Sequence, residues 1–345
     1  MEPADRRRVV ERHLEETVTA EELEELLAER DDPSVYIGYA PTGEMHIGHY
    51  TTIRKLVDFQ RAGLSVTVLI ADLHAYLDDE KTPWDLLDAR SRYYQRTIET
   101  MVEATGGDPR AIRFERGSDF ELEPPYTMDL YRLVGETTTR RAQRAGSEVV
   151  RQRDDPRLGG LLYTLMQSLD VAALDVDIAY GGIDQRGIYM LARETLPTLG
   201  YDKPICLFAP LLSGLEGGKM SASEAGSSVR LTDDRDAIVD KLNDAYCPAG
   251  STEDNGILEY LKYLVFPTLM DRGQAFVIER PAEYGGDVVY EDYESLEVDF
   301  INEDLHPQDL KNAAAAAIAE LIAPIRERTF EDPDVLEAAY PEQYG

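Results

Sequence analysis

The stretch YIGYAPTGEMHIGH, residues 36 to 49, decides how this chain folds. An apolar, strand-like run ends at Tyr39, a proline and a glycine turn the chain, and a helix is predicted to begin near Met45. His46 and His49 lie three residues apart and therefore share one face of that helix. A helix N terminus carries unpaired N–H groups and a partial positive charge, so we expect an anion to bind there beside both imidazoles.

Four further short apolar runs extend this pattern along the chain. Amphipathic helical segments separate them, and the first of these segments ends at Gly63, a typical C-cap residue. Strands that alternate with helices predict an α/β fold with a Rossmann-like, doubly wound parallel sheet, covered on both faces. The predicted strands are Val35–Tyr39, Leu64–Ile70, Ala111–Glu115, Val176–Tyr180 and Pro204–Phe208.

The chain of 345 residues is long enough for two domains with a helical lead-in. Residues 1–30 form the predicted lead-in, with one amphipathic helix from Val10 to Glu29. Residues 31–231 form the α/β domain, with a connective insertion at about residues 117–160. Residues 232–345 form a mainly helical domain, whose last helix buries the apolar stripe Ile318, Leu321, Ile322 and Ile325.

The charge of the chain is its most unusual property. Asp and Glu number 67 against 35 Lys and Arg, which gives a net charge of -32 spread along the whole sequence. The hydrophobic fraction of 43% is nevertheless sufficient for a folded core. Such a surface is typical of proteins adapted to strong salt, where the Debye length falls to about 3 Å at 1 M. An ordinary acidic cytosolic protein is the alternative.

Cysteine content and hydrophobic runs limit the cellular setting. The two cysteines, Cys206 and Cys247, are far apart and have no C-x-x-C or nearby histidine cluster, so neither a disulfide scaffold nor a metal site is expected. The N terminus lacks the apolar core of a signal peptide, and no run reaches the eighteen or so apolar residues of a membrane span. We therefore expect a cytoplasmic protein without a membrane segment.

A second motif, LLSGLEGGKMSASEAGSS, follows the last predicted strand. Its ammonium group on Lys219 and the hydroxyls of Ser221 and Ser223 suit a loop that closes on phosphate. Lysine occurs only seven times in the chain, which adds weight to its presence here. Taken singly, a Gly-rich loop is common, and two histidines on one helical face are as often structural as functional.

Together the two motifs are identified as the paired signature of the class I aminoacyl-tRNA synthetases. HIGH and KMSAS lie about 170 residues apart, after the first and last strands. The segments ADLHAYL, YTLMQSLDVAALDVDIAYGGIDQRGIYMLARE, LNDAYCPAG and LHPQDLKNA resemble those of the archaeal and eukaryotic tyrosyl-tRNA synthetases. The resemblance runs from about residue 31 to residue 328. With the acidic composition, it implies a protein of a halophilic archaeon.

This resemblance implies an activity and a set of catalytic residues. Members of the family activate L-tyrosine with ATP, releasing pyrophosphate, and transfer the tyrosyl group to the 3'-terminal adenosine of tRNA(Tyr). The resemblance assigns catalysis to His46, His49, Lys219, Ser221 and Ser223. It assigns ATP binding, with Mg²⁺ arriving on the nucleotide, to Gly38, His46, Gly48, His49, Gly182, Asp184, Lys219 and Met220.

The resemblance also places a tyrosine pocket. It implies that Tyr36 and Asp170 bind the phenolic hydroxyl of the substrate, and that Leu69 and His74 line the ring. The α-amino group would be bound by Tyr163, Gln167 and Gln185. A pocket that hydrogen-bonds a hydroxyl rejects phenylalanine because its polar groups are then left unpaired, and this enzyme family is the standard example of that effect.

The tRNA contacts and the assembly are likewise implied by the resemblance. Arg144, Arg186 and Met190 would contact the first base pair of the acceptor stem, within a basic cluster of Arg132, Arg140, Arg141, Arg144, Arg151, Arg153 and Arg157. In the helical, anticodon-binding domain, Tyr284 would stack on the first anticodon base, Asp309 would hydrogen-bond it, and Lys311 is a further predicted tRNA contact. The resemblance implies a homodimer, with residues 126–145 as the candidate interface.

Four positions depart from the family pattern. Ala222 replaces a serine or lysine, which leaves room for K⁺ to substitute at the pyrophosphate. Ala40 replaces an acid, so no amino-group role is assigned there. Glu121 stands where a glutamine is usual near the tyrosine ring, and Gly187 stands where a lysine often follows the acceptor-stem arginine.

Two other functions are consistent with the same motifs. A tryptophanyl-tRNA synthetase shares the fold and signatures, but indole has no hydroxyl for Tyr36 and Asp170 to bind. A non-catalytic paralogue that binds tRNA or nucleotide is the alternative from another class. The intact His46, His49 and Lys219 argue against it.

Overall fold

A computed structural model describes residues 1–150, 157–218 and 226–345. Its main sheet has six strands in the order β1-β6-β5-β2-β3-β4, and a separate hairpin pairs β7 with β8. The strands are β1 Glu16–Val18, β2 Ser34–Tyr39, β3 Ser65–Ile70, β4 Ile112–Arg116, β5 Ile178–Gly182, β6 Ile205–Ala209, β7 Phe276–Ile278 and β8 Val288–Tyr290.

Helices connect and cover the strands. In chain order over the described ranges they are α1 Pro3–Glu11, α2 Ala20–Glu29, α3 Ile47–Arg61, α4 Asp72–Leu77, α5 Leu87–Ala104, α6 Gly117–Phe120, α7 Pro124–Glu136, α8 Thr139–Ala145, α9 Leu158–Ala173, α10 Arg186–Leu199, α11 Arg235–Asp244, α12 Gly256–Tyr260, α13 Phe266–Asp271, α14 Tyr293–Ile301, α15 Pro307–Glu331, α16 Pro333–Ala339 and α17 Pro341–Tyr344. None of them is both long and apolar enough to cross a bilayer.

The five predicted strands are confirmed to within a few residues, and they pair in parallel. Their order, β6-β5-β2-β3-β4, is that of a doubly wound sheet in which the chain moves outward first to one side of β2 and then to the other. The winding reverses between β2 and β5, and a crevice opens at the carboxyl ends of these two strands. Ligands bind at this point in open α/β sheets.

The two faces of the sheet carry two separate cores because strand side chains alternate. Val35, Ile37 and Tyr39 of β2 join the larger core with α3 and α5. Tyr36, between them, joins the smaller core, which includes buried residues of α7, α9 and α10. The same alternation holds in β6, where Cys206 and Phe208 face the smaller core. The chain thus places the two signature histidines and Tyr36 on opposite faces of one sheet.

The predicted single lead-in helix over residues 10–29 is wrong. The chain forms α1, then the short antiparallel strand β1 at the edge of the sheet, then α2. His13 has a φ of 61°, which ends the first helix, and the Glu15 N–H donates to the Phe208 carbonyl. Sheet pairing with β6 therefore overrides the helical spacing of the apolar residues, as it often does for short segments.

The helical C-terminal region agrees with the sequence in its main feature. Ile318, Leu321, Ile322 and Ile325 are all buried on α15. The hairpin of β7 and β8 was not predicted, because its strands are only three residues long. Gly63, with a φ of 78°, follows the last turn of α3 as expected of a C-cap glycine.

Candidate active site

A cavity of about 300 Å³ opens at the crevice between β2 and β5. Its wall combines the end of β2, the start of α3, the turn after β5 and the segment after β6. The lining includes every described residue predicted to bind ATP, namely Gly38, His46, Gly48, His49, Gly182 and Asp184, together with Tyr163 and Gln185 of the predicted tyrosine pocket. Residues predicted from separate motifs therefore meet at one edge of the sheet.

The first turn of α3 is held together by its own histidines. His46 is the N-cap residue, and its Nδ1 accepts a hydrogen bond from the Gly48 N–H at 3.2 Å. The Nδ1 of His49 accepts from the His46 N–H at 3.2 Å, and the ring centroids lie 4.1 Å apart. This reciprocal arrangement is a capping box built from two imidazoles. Because Nδ1 accepts in both rings, the proton of each neutral imidazole lies on Nε2.

The expectation of free backbone donors at this helix start is wrong. The Ile47 N–H donates to the Val229 carbonyl at 2.9 Å, and the His49 N–H donates to the His46 carbonyl at 2.9 Å. Burial lowers the pKa of His49 to about 4 and, with the nearby His49 and Arg230, lowers the pKa of His46 well below its usual value. The side-chain donors that the two histidines leave available at this helix start are therefore their Nε2–H groups.

A buried carboxylate that sequence reasoning missed braces this turn. Glu44 accepts from the Thr232 hydroxyl at 2.9 Å and the Tyr344 hydroxyl at 2.8 Å, and lies 3.3 Å from an Arg230 nitrogen. His46 and Arg230 also form an antiparallel bridge. Glu44 therefore joins the helix start to the segment that leads out of the second motif. Its only sequence signal is its position inside the first motif.

A second, buried compartment lies within the smaller core, beside the last turn of α9. Asp170 is 1% exposed, and its Oδ1 accepts from the Tyr126 hydroxyl at 2.7 Å. Its Oδ2 has no hydrogen-bond partner among the described residues. The Tyr36 hydroxyl, equally buried, also lacks a partner in the described part of the chain.

The electrostatics of this compartment link Tyr36 to Asp170. Burial raises the pKa of Tyr36 well above its usual value, and the charges of Tyr189 and Asp170 add to that shift. Two buried polar groups that lack partners cost about 1–3 kcal/mol each unless a ligand satisfies them. A bound hydroxyl needs one donor and one acceptor, which the Tyr36 hydroxyl and the Asp170 Oδ2 can supply.

The side chains predicted to bind the α-amino group connect the two compartments. The Gln167 amide donates to the Gln185 Oε1 at 2.8 Å, which leaves the Gln167 Oε1 without a partner within the described ranges. The Tyr163 ring packs edge-on against His74 with centroids 4.7 Å apart. Leu69 is buried in the same core as Tyr36. All seven predicted tyrosine-pocket residues thus lie in or beside this compartment.

Several predicted residues lie outside the described residues. They are Lys219, Met220, Ser221, Ala222 and Ser223 of the second motif, and Arg151 and Arg153 of the basic cluster. Their assignments stay predictions.

The predicted acceptor-stem residues lie on α8 and α10, two helices that contact each other. A Cβ added to Gly187 would lie 2.3 Å from the Ala145 carbonyl oxygen, so α10 approaches the end of α8 more closely than a side chain would allow. Arg144 and Arg186 are the residues that precede Ala145 and Gly187 in this contact, which gives a structural reason for glycine at 187. Arg186 forms a two-pronged ion pair with Glu16 at 2.6 and 2.9 Å. Met190 follows one turn later on α10 and is half-buried.

The predicted anticodon residues divide into two kinds. Tyr284 is 68% exposed, as a stacking platform requires, and Asp309 lies half-buried in the first turn of α15. The Lys311 ammonium instead donates to the carbonyls of Asn243 and Ala245 at 2.8 and 2.7 Å. This favours a structural role for Lys311, which holds the end of α11, over the predicted tRNA contact.

Tyr126 was missed as a site residue because its sequence position predicted only an interface. It lies two residues into α7, far from Asp170 along the chain, and only the packing of α7 on α9 brings the two together. A tyrosine in a chain that has twenty carries little signal by itself.

Comparisons with known proteins agree with this geometry. A family model described as tRNA synthetases class I (W and Y) matches residues 28–323. The chain is 65% identical to the tyrosine–tRNA ligase of Natronomonas pharaonis over the full length of both, and 62% identical to that of Haloarcula marismortui, over all of this chain and 99% of the relative. The crystal structure of the Archaeoglobus fulgidus tyrosyl-tRNA synthetase complexed with L-tyrosine is 42% identical, with a TM-score of 0.88 over 95% of this chain and 99% of that one. The chain therefore belongs to the class I aminoacyl-tRNA synthetases for tryptophan and tyrosine, and within them to the tyrosine–tRNA ligases.

Proposed function

We propose that the two compartments of this ATP-dependent tyrosine–tRNA ligase divide the work of activation. The buried compartment binds the phenol of L-tyrosine, and the open cavity binds ATP. One observation carries the assignment: the Tyr36 hydroxyl and the Asp170 Oδ2 are buried and lack partners in the described chain. A phenolic hydroxyl satisfies both, since it accepts from Tyr36 and donates to Asp170.

The chemistry of activation needs position and charge stabilisation more than proton transfer. The tyrosine carboxylate is ionised at neutral pH, and one of its oxygens forms a bond to the α-phosphorus while the bond from that phosphorus to the pyrophosphate oxygen breaks. The neutral Nε2–H groups of His46 and His49 donate to the phosphate oxygens as negative charge shifts onto them. Lys219, Ser221 and Ser223 are proposed to hold the leaving pyrophosphate, with Mg²⁺ bound to the nucleotide substrate.

The second step transfers the tyrosyl group to tRNA(Tyr). The 3'-terminal adenosine hydroxyl attacks the adenylate carbonyl, and AMP leaves. We propose that Arg144, Arg186 and Met190 receive the acceptor stem and that Tyr284 and Asp309 receive the anticodon. Since charged tRNA is used in protein synthesis, we place the protein in the cytoplasm. A role for K⁺ beside Ala222 stays a prediction.

Tryptophan fits the buried compartment poorly. Indole lacks a hydroxyl, so its binding would leave the Tyr36 donor and the Asp170 acceptor buried without partners, at a cost of about 1–3 kcal/mol each. The relatives at 65% and 62% identity are tyrosine–tRNA ligases, which also favours tyrosine. The non-catalytic alternative is opposed by the same full-length similarity.

The direct test is ATP–pyrophosphate exchange in molar KCl with each of the twenty amino acids. We expect exchange with L-tyrosine alone and its loss by about 10²-fold or more in Lys219→Ala, because the leaving group then lacks its ammonium partner. Lys203→Ala is the matched control, since Lys203 pairs with Glu22 at the surface. Exchange that depends on tryptophan, or that survives in Lys219→Ala, would contradict the assignment.

The tRNA assignment has its own test. Arg144→Ala should lower the rate of tRNA charging at limiting tRNA by about tenfold, since one contact to nucleic acid is lost, and should leave tyrosine-dependent exchange intact. Arg110→Ala, another exposed arginine, is the control. Equal charging by both variants would remove Arg144 from the interface.

An exposed apolar face supports the proposed homodimer. Met128 and Tyr131 of α7 are 63% and 67% exposed, and Leu122, just before this helix, is 65% exposed. Such a stripe on one helix is typical of a protein interface. We expect Tyr131→Glu to shift the mass measured by light scattering from dimer to monomer in molar KCl. A wild-type protein that is monomeric at micromolar concentration would overturn the dimer.

A further inference from the structure

Three buried titratable side chains form a line at the base of the tyrosine compartment. His74 lies between two carboxyl groups: its Nδ1 is 3.4 Å from the Glu121 Oε1, and its Nε2 is 3.5 Å from the Asp170 Oδ2. All three residues are at most 3% exposed. Neither His74 nitrogen and neither Glu121 oxygen has a hydrogen-bond partner within the described residues. The mechanism of activation uses Asp170 but gives Glu121 no task.

The fold makes a specific place for the Glu121 carboxyl. A Cβ added to Gly117 would lie 2.6 Å from its Oε1, so the carboxyl in this position packs directly against a residue that has no side chain. The charged and titratable groups that surround the line are Asp72, which Arg116 pairs at 2.6 Å, and the hydroxyls of Tyr36, Tyr126 and Tyr163. Among these side chains the one full cation, Arg116, is already occupied by Asp72 and Asp88.

We propose that Glu121 is a positioning residue that carries a proton at neutral pH, donates a hydrogen bond through it to the His74 Nδ1, and so directs the His74 Nε2–H at an acceptor oxygen of Asp170. Asp170 then offers one fixed acceptor oxygen to the hydroxyl of the bound tyrosine. The inference rests on the proposed tyrosine compartment. It predicts that ionisation of Glu121 at alkaline pH weakens tyrosine binding.

The surroundings favour Glu121 as the holder of the proton. Burial, and then the negative charges of Asp170 and Asp72, raise the pKa of Glu121 well above its usual value. Burial also raises the pKa of Asp170, to about 8, although the hydrogen bond that Asp170 accepts from the Tyr126 hydroxyl acts in the opposite direction. Glu121 accepts no such bond in the described chain. Burial lowers the pKa of His74 to about 4, so the imidazole is neutral.

The direction of the pH effect follows from the assignment of the proton to Glu121. A protonated Glu121 can donate to Nδ1, whereas an ionised one places a second carboxylate beside Asp170 and faces a nitrogen that has no proton to give. Above the pKa of Glu121, the Kd for tyrosine should rise by about tenfold per pH unit if binding requires the protonated form. A glutamine at position 121 keeps a donor at every pH.

The test compares wild type with Glu121→Gln and Glu121→Ala by calorimetric titration of L-tyrosine in molar KCl from pH 6 to pH 10. We expect the ratio of the wild-type Kd to the E121Q Kd to rise with pH, because ionisation of the ligand itself affects both proteins equally. E121A should bind at least tenfold more weakly than E121Q at neutral pH, which makes E121Q the conservative rescue. A ratio that is flat from pH 6 to pH 10 would overturn the proposal.

A second readout does not depend on how well the variants fold. The infrared difference spectrum of the wild-type protein between neutral and alkaline pH should contain the C=O stretch of a buried carboxylic acid. That band should be absent from E121Q. A wild-type spectrum without the band, or a band that persists in E121Q and disappears in Asp170→Asn, would overturn the assignment of the proton to Glu121. Tyrosine-dependent exchange at neutral pH tests the activity separately, so the two failures are distinguishable.

Discussion

The two compartments of the site satisfy their polar groups in opposite ways. At the nucleotide side, His46 and His49 cap each other and the backbone N–H groups of the turn are paired within the protein. At the phenol side, Tyr36, His74 and Asp170 are buried with polar atoms that have no partner in the described chain. The first region is complete before a ligand arrives, and the second is complete only with one. We therefore propose that the first region provides rate enhancement and the second provides selectivity for the substrate.

The largest effect should come from the phenol side. Asp170→Asn keeps the size of the side chain and an acceptor for Tyr126, but it replaces the acceptor that faces the substrate hydroxyl with a donor. Hydrogen bonds to charged groups contribute about 1.5–3 kcal/mol each. The asparagine NH₂ also leaves the substrate hydroxyl facing a donor, which adds about 1–3 kcal/mol for the unsatisfied group, so we expect kcat/KM for tyrosine in pyrophosphate exchange to fall by about 10³-fold.

The matching measurement is KM for ATP in the same assay. It should change little in Asp170→Asn, because Asp170 does not line the nucleotide cavity. A comparable loss of ATP affinity would show that the two compartments are not separate.

A smaller effect is expected at the nucleotide side. His49→Ala removes one donor to the phosphates and should lower kcat by about 10²-fold, with KM for tyrosine nearly constant. It also opens the capping box, which costs about 1 kcal/mol of stability.

His46→Asn separates these two contributions. Asparagine is a good N-cap residue and preserves the cap, yet its shorter side chain does not place a donor where the imidazole Nε2–H lies. It should therefore lose rate without losing stability in urea unfolding. Full activity in His46→Asn would mean that the histidines act only as caps.

Tyr36→Phe should modestly weaken the use of tyrosine and should stabilise the ligand-free protein. One neutral hydrogen bond to the substrate is lost, which should raise KM for tyrosine by about tenfold. Because the Tyr36 hydroxyl is buried without a partner in the described structure, its removal should also raise the melting temperature of the ligand-free protein. A lower melting temperature would mean that the hydroxyl is already satisfied without substrate.

The smallest expected effect is on the pH dependence of stability, and it involves one histidine from each region. Burial lowers the pKa of both His49 and His74 to about 4, so each binds its proton more weakly in the folded than in the unfolded protein. Stability from each is fully present above pH 6.5 and is lost as the pH falls toward 4. His49→Asn and His74→Asn should each make the dependence of the unfolding free energy on pH shallower, by up to about 1.4 kcal/mol per pH unit. Urea titrations at pH 7, 6 and 5 measure this slope, and unchanged slopes would contradict the shifted values.

The sequence predicted the sheet well because its strands are long, apolar and spaced by amphipathic helices. The spacing of apolar residues gave a wrong prediction where strand pairing determined the structure. An example is β1, which was predicted to be helical but pairs with β6. The resemblance to the family predicted which residues meet at the crevice. It could not predict that the N–H groups at the start of α3 are paired within the protein, since that depends on the hydrogen bond from Ile47 to Val229 and on the bridge between His46 and Arg230.

Contacts that cross elements were the hardest to foresee. Glu44 is braced by Tyr344, and Asp170 by Tyr126, through packing that brings distant segments together. Gly187 was expected to weaken a tRNA contact, yet the structure shows it to be required by the approach of α10 to α8. In each case, the residue type is ordinary and only its neighbours give it a role.

The central claim is that the phenol side stays polar and unsatisfied until a hydroxyl enters. The most direct measurement is the ratio of kcat/KM for L-tyrosine to that for L-phenylalanine in pyrophosphate exchange, in wild type and in Tyr36→Phe. The account predicts a wild-type ratio of about 10⁴ or more, a magnitude for which this enzyme family is itself the reference case, and a clear fall in Tyr36→Phe. A wild-type ratio below about 10², or a ratio unaffected by the variant, would contradict it.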